Sequence, residues 1–373
     1  MRTLALAIVV TAMASSFMSH AEAQESVRRI VRHEILSLLP ADGAGGIAVA
    51  VRIDDRVLFF DGGFADLAER RPVTPDSLFN IASLRKPFEA TLLALAVQDG
   101  KMALDHPVSN YLPELGAGGD IRRVTVGQLA THTSGLLLPQ DHLPWPTTRY
   151  TRASFLETLK AWQADAAHQP GRQHLYTHAG FILLQLALER GLGAAIGELA
   201  EREIFGPLGM TSSRIPDRRQ DGRSNLPASL LQRAVQGYSE DGGVAVGKPG
   251  DQQTYYDWPG TGQMYSSVRD LDVFLDANMG HGRAAPALTR AMTMAQAPAF
   301  PIGPHSAQAL AWQIDDTAAP TVIDKNGGLN NASAYIGMMP ARRLGIVVLS
   351  NRGGIDVAQA GRRALRQLSQ QGM

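Results

Sequence analysis

The sequence predicts an α+β protein: an antiparallel sheet built from both ends of the chain and flanked by helices, with a mostly helical domain inserted between them. Strand patterns occur near the two ends, at residues 47–60 and 332–349, whereas the middle of the chain has mainly helical periodicity. We therefore expect a sheet domain formed by residues 24–80 and 225–373, a helical domain formed by residues 81–224, and a functional site at their junction.

The first elements follow from the spacing of apolar residues. Residues 24–39 repeat apolar side chains at helical spacing and stop before Pro40, which predicts a helix. Residues 47–53 and 57–60 predict two strands, and the pair of aspartates between them predicts a turn. This region should therefore form a hairpin.

The middle of the chain is dominated by helical patterns. A long one follows Ala82 and ends at Gly100, a residue type that is common just after a helix. Residues 124–130 and 180–192 predict two further helices. Residues 137–150 are rich in proline and histidine and lack periodicity, which predicts a loop.

The last third of the chain returns to strands. The pair Ser266-Ser267 followed by Asp270 resembles a capping box, which predicts a helix from there to Met279 with Gly280 as its stop. Residues 332–339 and 344–349 predict two apolar strands, and residues 356–368 predict a final helix.

The N-terminus has the pattern of a secretory signal peptide. Arg2 supplies a positive charge, residues 4–14 form an apolar run, and residues 21–23 form an A-x-A cleavage site. The run is shorter than the ~20 apolar residues that span a bilayer, so we expect no membrane anchor. Residues 1–23 should be removed on export, with Gln24 as the start of the mature protein.

Composition excludes several classes of function. The 35 basic and 35 acidic residues balance, and the basic residues are dispersed, which argues against a nucleic-acid partner. The chain has no cysteine, so disulfides, thiol chemistry and cysteine–zinc sites are excluded. His174 and His178 have the spacing of a zinc helix, but H-E-x-x-H and a third ligand are missing, so we expect no metal and no cofactor.

The first candidate for chemistry is Ser83 with Lys86. A serine hydroxyl is a poor nucleophile until a base takes its proton. If Ser83 opens a helix, Lys86 lies one turn further on the same face, and burial would lower its pKa. Taken alone, S-x-x-K is weak, because a capping serine beside a solvated lysine is the commoner outcome.

Two later segments carry compatible groups. Tyr176 offers a phenol that can pass protons if ammonium groups lie nearby, although a packed aromatic side chain is the simpler reading. Lys325, Asn326 and Gly327 precede a predicted strand, where a lysine can meet a substrate carboxylate and bare backbone N–H groups can meet an oxyanion. An exposed turn lysine is the alternative there.

Together these segments resemble a known family. Ser83-x-x-Lys86, Tyr176-x-His178 and Lys325-Asn326-Gly327 occur in the order of the S-x-x-K, Y-x-N and K-T-G motifs of the penicillin-recognising serine enzymes. The greatest similarity is to class C (AmpC-type) serine β-lactamases and their D,D-peptidase and esterase relatives. It extends over nearly the whole mature chain and includes LATHTSG at residues 129–135. The resemblance implies a β-lactamase/transpeptidase-like fold.

The resemblance also implies roles. Ser83 would form an acyl-enzyme, Lys86 and Tyr176 would share its proton, and the backbone N–H groups of Ser83 and Gly328 would form an oxyanion hole. Lys325 would attract a substrate carboxylate. The remaining positions that the family uses to bind substrate correspond to His178, Asn326, Gln140 and Asn351.

Two residues depart from the family pattern. His178 replaces the asparagine of Y-x-N, and Asn326 replaces the threonine of K-T-G. Both positions bind substrate, so acyl transfer is retained while β-lactam turnover is brought into question. The resemblance predicts a periplasmic, monomeric class C β-lactamase acting on small molecules. Two alternatives are an esterase or D-amino-acid peptidase on this scaffold, and a penicillin-binding protein that acylates without turnover.

Overall fold

The computed structural model describes residues 20–138, 141, 150–216, 226–245, 260 and 262–371. Most of the predicted signal peptide, residues 1–19, therefore lies outside the described part of the chain. Most of the predicted loop at 137–150 lies outside it as well.

The described strands form one large sheet and one small pair. In chain order they are β1 Gly46–Ile53, β2 Arg56–Asp66, β3 Arg71–Pro72, β4 Phe79–Asn80, β5 Tyr265–Ser266, β6 Phe300–Gly303, β7 Ser306–Gln308, β8 Gln313–Asp315, β9 Val322–Leu329, β10 Ala332–Met339 and β11 Leu344–Ser350. The sheet has the order β3-β2-β1-β11-β10-β9-β8-β7-β6, and its neighbouring strands are antiparallel. β4 pairs with β5.

The described helices cover both faces of this sheet. They are α1 His20–Glu34, α2 Lys86–Gln98, α3 Val126–Ala130, α4 Arg152–Ala161, α5 His178–Leu192, α6 Ile196–Ala200, α7 Gly206–Leu208, α8 Ala228–Leu231, α9 Val268–Asn278, α10 Pro286–Ala295 and α11 Val357–Gln370. In the described part of the chain no single helix is long and apolar enough to cross a membrane. One pair bent by 75°, His178–Leu192 with Ile196–Leu208, meets the length and composition test.

Side chains along β1 alternate between the two faces of the sheet, and each face packs against a different set of helices. Val49 and Val51 pack into a core shared with α1 and α11, whereas Ala48 and Ala50 belong to the larger core on the opposite face. Those alanines are small, and α9 packs against β1 and β11 on that side. The sheet is therefore buried on both faces.

The fold class predicted from the sequence is confirmed. β1 pairs with β2, the next strand along the chain, and with β11, so both chain ends do build the sheet. The N-terminal helix is α1, and a 3₁₀ turn at Leu36–Leu38 replaces its predicted last turn. α10 and the edge strands β6 to β8 were not predicted, because those segments are short or weakly periodic.

The start of α9 differs from a full capping box. Ser267 caps the helix by accepting the Asp270 N–H at 3.2 Å. The Asp270 carboxylate does not return a hydrogen bond to Ser267, because it accepts the Ser212 N–H at 2.8 Å and the Ser213 hydroxyl at 2.9 Å. The predicted reciprocal half of the motif is thus replaced by a tertiary contact.

Candidate active site

Ser83 lies on a tight turn between β4 and α2. The preceding Ala82 has a φ of +51°, a left-handed conformation that is rare for a residue with a side chain. The Asn80 Oδ1 accepts the Ala82 N–H at 3.0 Å and so fixes this turn. A 3₁₀ turn at Ala82–Arg85 then leads into α2, with Pro87 in its first turn. The turn holds the Ser83 side chain at the start of a helix.

The Ser83 hydroxyl contacts two groups that can exchange its proton. The Lys86 Nζ donates to the Ser83 Oγ at 2.9 Å. The Tyr176 hydroxyl lies 2.7 Å from the same oxygen, and either oxygen can be the donor. The three residues come from segments as far as 93 positions apart, and the structure brings them together as the sequence predicts.

Lys86 is fully buried, and its chemistry follows from that burial. Burial lowers the pKa of Lys86 to about 7, with Arg85 acting in the same direction and Glu89 opposing it. A substantial fraction of the Lys86 side chain is therefore a neutral amine at neutral pH. A neutral amine at this distance can accept the proton of Ser83.

Two lysine side chains lie close to the ring of Tyr176. The Lys86 Nζ is 5.1 Å from the ring centre, and the Lys325 Nζ is 4.8 Å from it. Both contacts lie within the range in which a cation is attracted to an aromatic face. Lys325 is buried, and this burial lowers its pKa. The ring of Tyr176 is thus in contact range of the lysines of both the first and the third motif.

Glycine on β9 lets the strand pass close to the nucleophile. A Cβ at Gly327 would lie 2.8 Å from the Ser83 backbone nitrogen and 3.0 Å from the Ala82 Cβ. A Cβ at Gly328 would meet nothing within 4 Å. The close approach therefore requires glycine at the third position of the K-N-G triplet but not at the position after it.

His178 is the first residue of α5 and lies half-buried at the site. Its backbone N–H donates to the Asp141 carboxylate at 2.5 Å, and its Nδ1 is 3.7 Å from the same oxygen. Burial, followed by the charges of Lys86 and Lys325, lowers the pKa of His178 to about 3. The imidazole is therefore neutral at pH 7 despite its carboxylate neighbour.

The other predicted substrate-binding residues differ in their placement. Asn326 is exposed on β9, one position after Lys325. Asn351 is 1% exposed, and its Oδ1 accepts the Gly46 N–H at 2.7 Å. Its amide nitrogen donates to the carbonyls of Phe64, Ala65 and Gln236. Contrary to expectation, Asn351 therefore ties the ends of β1, β2 and β11 together and has no free donor for a substrate. Gln140 lies outside the described residues.

His132 was missed as a site residue, although it lies in the LATHTSG segment. Its ring centre is 4.2 Å from that of Tyr176 and 4.9 Å from that of Phe181. The side chain is 1% exposed, and neither ring nitrogen has a hydrogen-bond partner within the described chain. Burial and the nearby lysines hold the pKa of His132 well below its ordinary value, so this ring is a neutral support for Tyr176.

The structure also shows the surroundings of His174, which with His178 has the sequence spacing of a zinc-binding helix. His174 Nε2 lies 3.0 Å from the Gln308 side-chain oxygen, which occupies that ring nitrogen. Within the described ranges no group of three or more His, Cys, Asp or Glu residues is arranged to hold a metal ion.

Comparison with known proteins assigns the family. The sequence model of the Beta-lactamase family matches residues 25–370, so this chain belongs to the β-lactamase family and is a serine hydrolase. A β-lactamase of Yersinia enterocolitica is 28% identical over an alignment of 363 residues that covers 87% of each chain. A β-lactamase of Pseudomonas fluorescens is 25% identical over an alignment of 358 residues that covers 87% of this chain and 94% of the relative.

Solved structures agree on the fold. A class C β-lactamase from Rhodobacter sphaeroides superposes with a TM-score of 0.75 at 26% identity, covering 94% of this chain and 98% of that one. A D-alanine carboxypeptidase AmpC from Burkholderia cenocepacia superposes with a TM-score of 0.77 at 26% identity, covering 93% and 99%. The fold is therefore that of the β-lactamases, and its relatives include proteins named for two different activities.

Proposed function

We propose that this chain is a serine β-lactamase of class C type, which opens the β-lactam amide through an acyl-enzyme on Ser83. The observation that carries the proposal is the position of the Ser83 Oγ, 2.9 Å from the Lys86 Nζ and 2.7 Å from the Tyr176 hydroxyl. The nucleophile is thus in contact with a buried amine and a phenol at once, as proton transfer in both directions requires.

Acylation begins when the Ser83 Oγ attacks the carbonyl carbon of the β-lactam. Its proton passes to Lys86, whose pKa of about 7 makes the neutral amine available. The backbone N–H groups of Ser83 and Gly328 would stabilise the oxyanion. Loss of one such donor costs on the order of 100- to 1000-fold in turnover in related chemistry.

The tetrahedral intermediate then breaks the ring C–N bond, and the proton returns to the leaving nitrogen through Tyr176. Deacylation repeats the sequence with water in place of serine: Tyr176 and Lys86 take a proton from water, the hydroxide attacks the ester, and Ser83 recovers its proton. Catalysis in both halves uses the same two groups, so loss of either should slow both.

The remaining residues define the substrate end of the site. Lys325 is buried beside Tyr176, and in its ammonium form it suits the carboxylate of a β-lactam. Neutral His178 and exposed Asn326 take the places of an asparagine and a threonine in the family pattern. We propose that these two residues bind the parts of the substrate beyond the scissile bond.

An alternative function has one observation in its favour. A relative with 26% identity and nearly complete coverage is named a D-alanine carboxypeptidase, and that reaction also proceeds on a peptide amide. An esterase, or a penicillin-binding protein that acylates without turnover, would use the same Ser83 contacts. The activities differ in the leaving group and in the rate of deacylation.

Steady-state hydrolysis separates these possibilities. We expect turnover of a chromogenic cephalosporin to exceed, in kcat/KM, that of a short-chain nitrophenyl ester and of a peptide ending in D-Ala-D-Ala. Preference for the ester or the peptide would replace the β-lactamase proposal with the corresponding alternative. A stable adduct by mass spectrometry without turnover would indicate a binding protein. Ser83→Ala must abolish all of these activities.

The setting of the enzyme is part of the proposal. We propose that residues 1–23 are removed on export, that the mature enzyme is a periplasmic monomer without a membrane anchor, and that it needs no cofactor. We also propose that residues 24–80 and 225–373 act as a sheet domain and residues 81–224 as a helical domain, with Ser83 at their junction. N-terminal sequencing of the exported protein tests the cleavage site directly.

A further inference from the structure

Directly beneath the nucleophile lies a buried ion pair that the mechanism above does not use. The Arg85 Nε and the Glu89 Oε1 are 2.6 Å apart, and their side chains are 0% and 1% exposed. Arg85 belongs to the 3₁₀ turn that carries Ser83, and Glu89 lies in the first turn of α2. By sequence alone this i,i+4 pair resembles an ordinary surface pair on a helix.

The pair is anchored from other elements. The Arg85 Nη2 donates to the Gln185 Oε1 on α5 at 2.7 Å, and its Nη1 donates to the Gly260 carbonyl. Gln185 donates in turn to Glu189 at 2.9 Å, and Glu189 pairs at 3.3 Å with Arg152, which is solvent-exposed. A line of polar groups therefore runs from the nucleophile turn through α5 to the surface.

Stability is a poor explanation for this arrangement. Desolvating two charges costs several kcal/mol per ion in general, and apolar residues of similar size are often equally good or better. Neither Glu89 oxygen makes a well-oriented hydrogen bond within the described chain, so this carboxylate is held by charge rather than by directed contacts. A costly charged pair next to a catalytic lysine indicates a role in the chemistry of that lysine.

The two charges act on Lys86 with opposite sign. Arg85 immediately precedes Lys86, and Glu89 follows one turn later on the same face of α2. The Glu89 carboxylate favours the ammonium form of Lys86 and the Arg85 guanidinium disfavours it. Burial raises the pKa of Glu89 itself, and the charges of Arg85 and Lys86 oppose that rise.

Other charged or titratable groups also face Lys86. The groups that neighbouring loops, helices and strands bring next to Lys86 are Asp141, Tyr176, His132, His178 and Lys325. Both histidines are neutral at pH 7, because burial and the lysines lower their pKa values. Loss of Glu89 would therefore leave Arg85 and Lys325 as cations next to Lys86, with Asp141 as the remaining carboxylate among these groups.

We propose that Glu89 is a positioning residue for the acyl-transfer reaction: it offsets the charge of Arg85 beside Lys86, so that Lys86 can both take the proton of Ser83 and give it back. The inference rests on the proposed role of Lys86 in the function above. Without Glu89, Lys86 would be a neutral amine over a wider pH range and a weaker proton donor in the second half of the reaction.

The experiment that tests the role of Glu89 must give a result whichever substrate the enzyme prefers. We would measure the pH dependence of the second-order rate constant with which a fluorophosphonate phosphonylates Ser83 in the full mature chain: the Ser83 oxygen bonds to phosphorus and fluoride leaves. The acid limb of this profile reports the protonation of Lys86. Hydrolysis of the chromogenic cephalosporin is measured in parallel. Absence of hydrolysis in the wild type would contradict the proposed function alone, whereas the fluorophosphonate profile still tests this inference.

Glu89→Gln should move the acid limb to lower pH by about one unit, because an opposite charge within a few ångströms shifts a pKa by about that amount or more. The double variant Arg85→Gln with Glu89→Gln removes both charges and should return the limb to within about half a unit of the wild type. A structural role would not predict this reversal. An unmoved limb in Glu89→Gln, or a double variant that keeps the shift, would overturn the proposal.

Folding of the variants is checked by circular dichroism. If the unpaired Arg85 charge prevents the Glu89→Gln variant from folding, the proposal is tested with two variants in which the pair has no net charge. Glu89→Asp and the double variant both leave a net charge of zero at the pair, so both should retain the acid limb of the wild type. A limb displaced by more than half a unit in either one counts against the proposal.

Discussion

Asp324 and Lys325 are neighbours on β9, yet their side chains serve opposite faces of the sheet. Asp324 accepts hydrogen bonds from the Tyr335 hydroxyl at 2.9 Å and from the Arg362 Nε of α11 at 2.8 Å. Lys325 lies on the other side, with its Nζ 4.8 Å from the centre of the Tyr176 ring. One strand thus joins the C-terminal helix to the candidate active site.

The Asp324 anchor gives a first prediction. Asp324 is 1% exposed, so Arg362→Met should leave its charge buried without its main partner and lower the free energy of unfolding by about 3 kcal/mol. Lys101→Met is the control, because Lys101 pairs with Asp99 at the exposed surface, where a pair contributes less than about 1 kcal/mol. Urea unfolding measures both. Equal losses in the two variants would contradict the anchoring role of Arg362.

The phenol of Tyr176 gives a second prediction. Tyr176→Phe keeps the ring packed against His132 and near the two lysines, but removes the hydroxyl that lies 2.7 Å from the Ser83 Oγ. We expect kcat to fall on the order of 100- to 1000-fold, since general acid–base groups contribute that much. The melting temperature should be unchanged. Activity within tenfold of the wild type would exclude Tyr176 from proton transfer.

The glycines of β9 form a matched pair for a third prediction. Gly327→Ala would place a methyl group 2.8 Å from the Ser83 nitrogen, so β9 or the nucleophile turn must move. We expect kcat/KM to fall at least about tenfold, because small displacements of reacting groups are costly. Gly328→Ala meets open space and should keep its activity. If both variants behave alike, the close packing of β9 on Ser83 is not required for catalysis.

His132 gives a prediction about pH. Its pKa in the folded protein lies well below the value of about 6.5 that it has when unfolded, so the unfolded chain binds a proton that the native ring does not. Stability should therefore be lost as pH falls below about 6.5. His132→Phe should reduce the loss between pH 7 and pH 5 by about 2 kcal/mol in urea unfolding. Identical pH dependence in both proteins would show that His132 takes up its proton equally readily in the folded and the unfolded chain, which contradicts the prediction.

The sequence was sufficient for features that depend on local spacing. The β1–β2 hairpin, the Ser267 cap and the terminal helix follow from periodicity and turn chemistry, and they occur where these patterns predict. The three segments of the site were recognised by motif, and Ser83, Lys86, Tyr176 and Lys325 do converge.

Features that depend on burial could not be predicted in this way. Arg85 and Glu89 have the spacing of a surface pair, and nothing local shows that both are fully enclosed. His132 contacts Tyr176 through the tertiary fold, 44 positions along the sequence from its partner. Asn351 resembled a ligand-binding residue, but its amide is fully occupied by backbone groups brought together from distant segments.

The order of strands has a consequence for how the chain folds. β1 lies inside the sheet, third from the β3 edge, with β11 as one neighbour, and the Gly46 N–H donates to Asn351 across 305 positions of sequence. The entropy of closing so long a loop must be paid before the middle strands can pair. A chain that lacks β11 therefore cannot complete this sheet. Because β9 is held in place through β10 and β11, the nucleophile turn gains its packing against β9 only after β11 has joined the sheet.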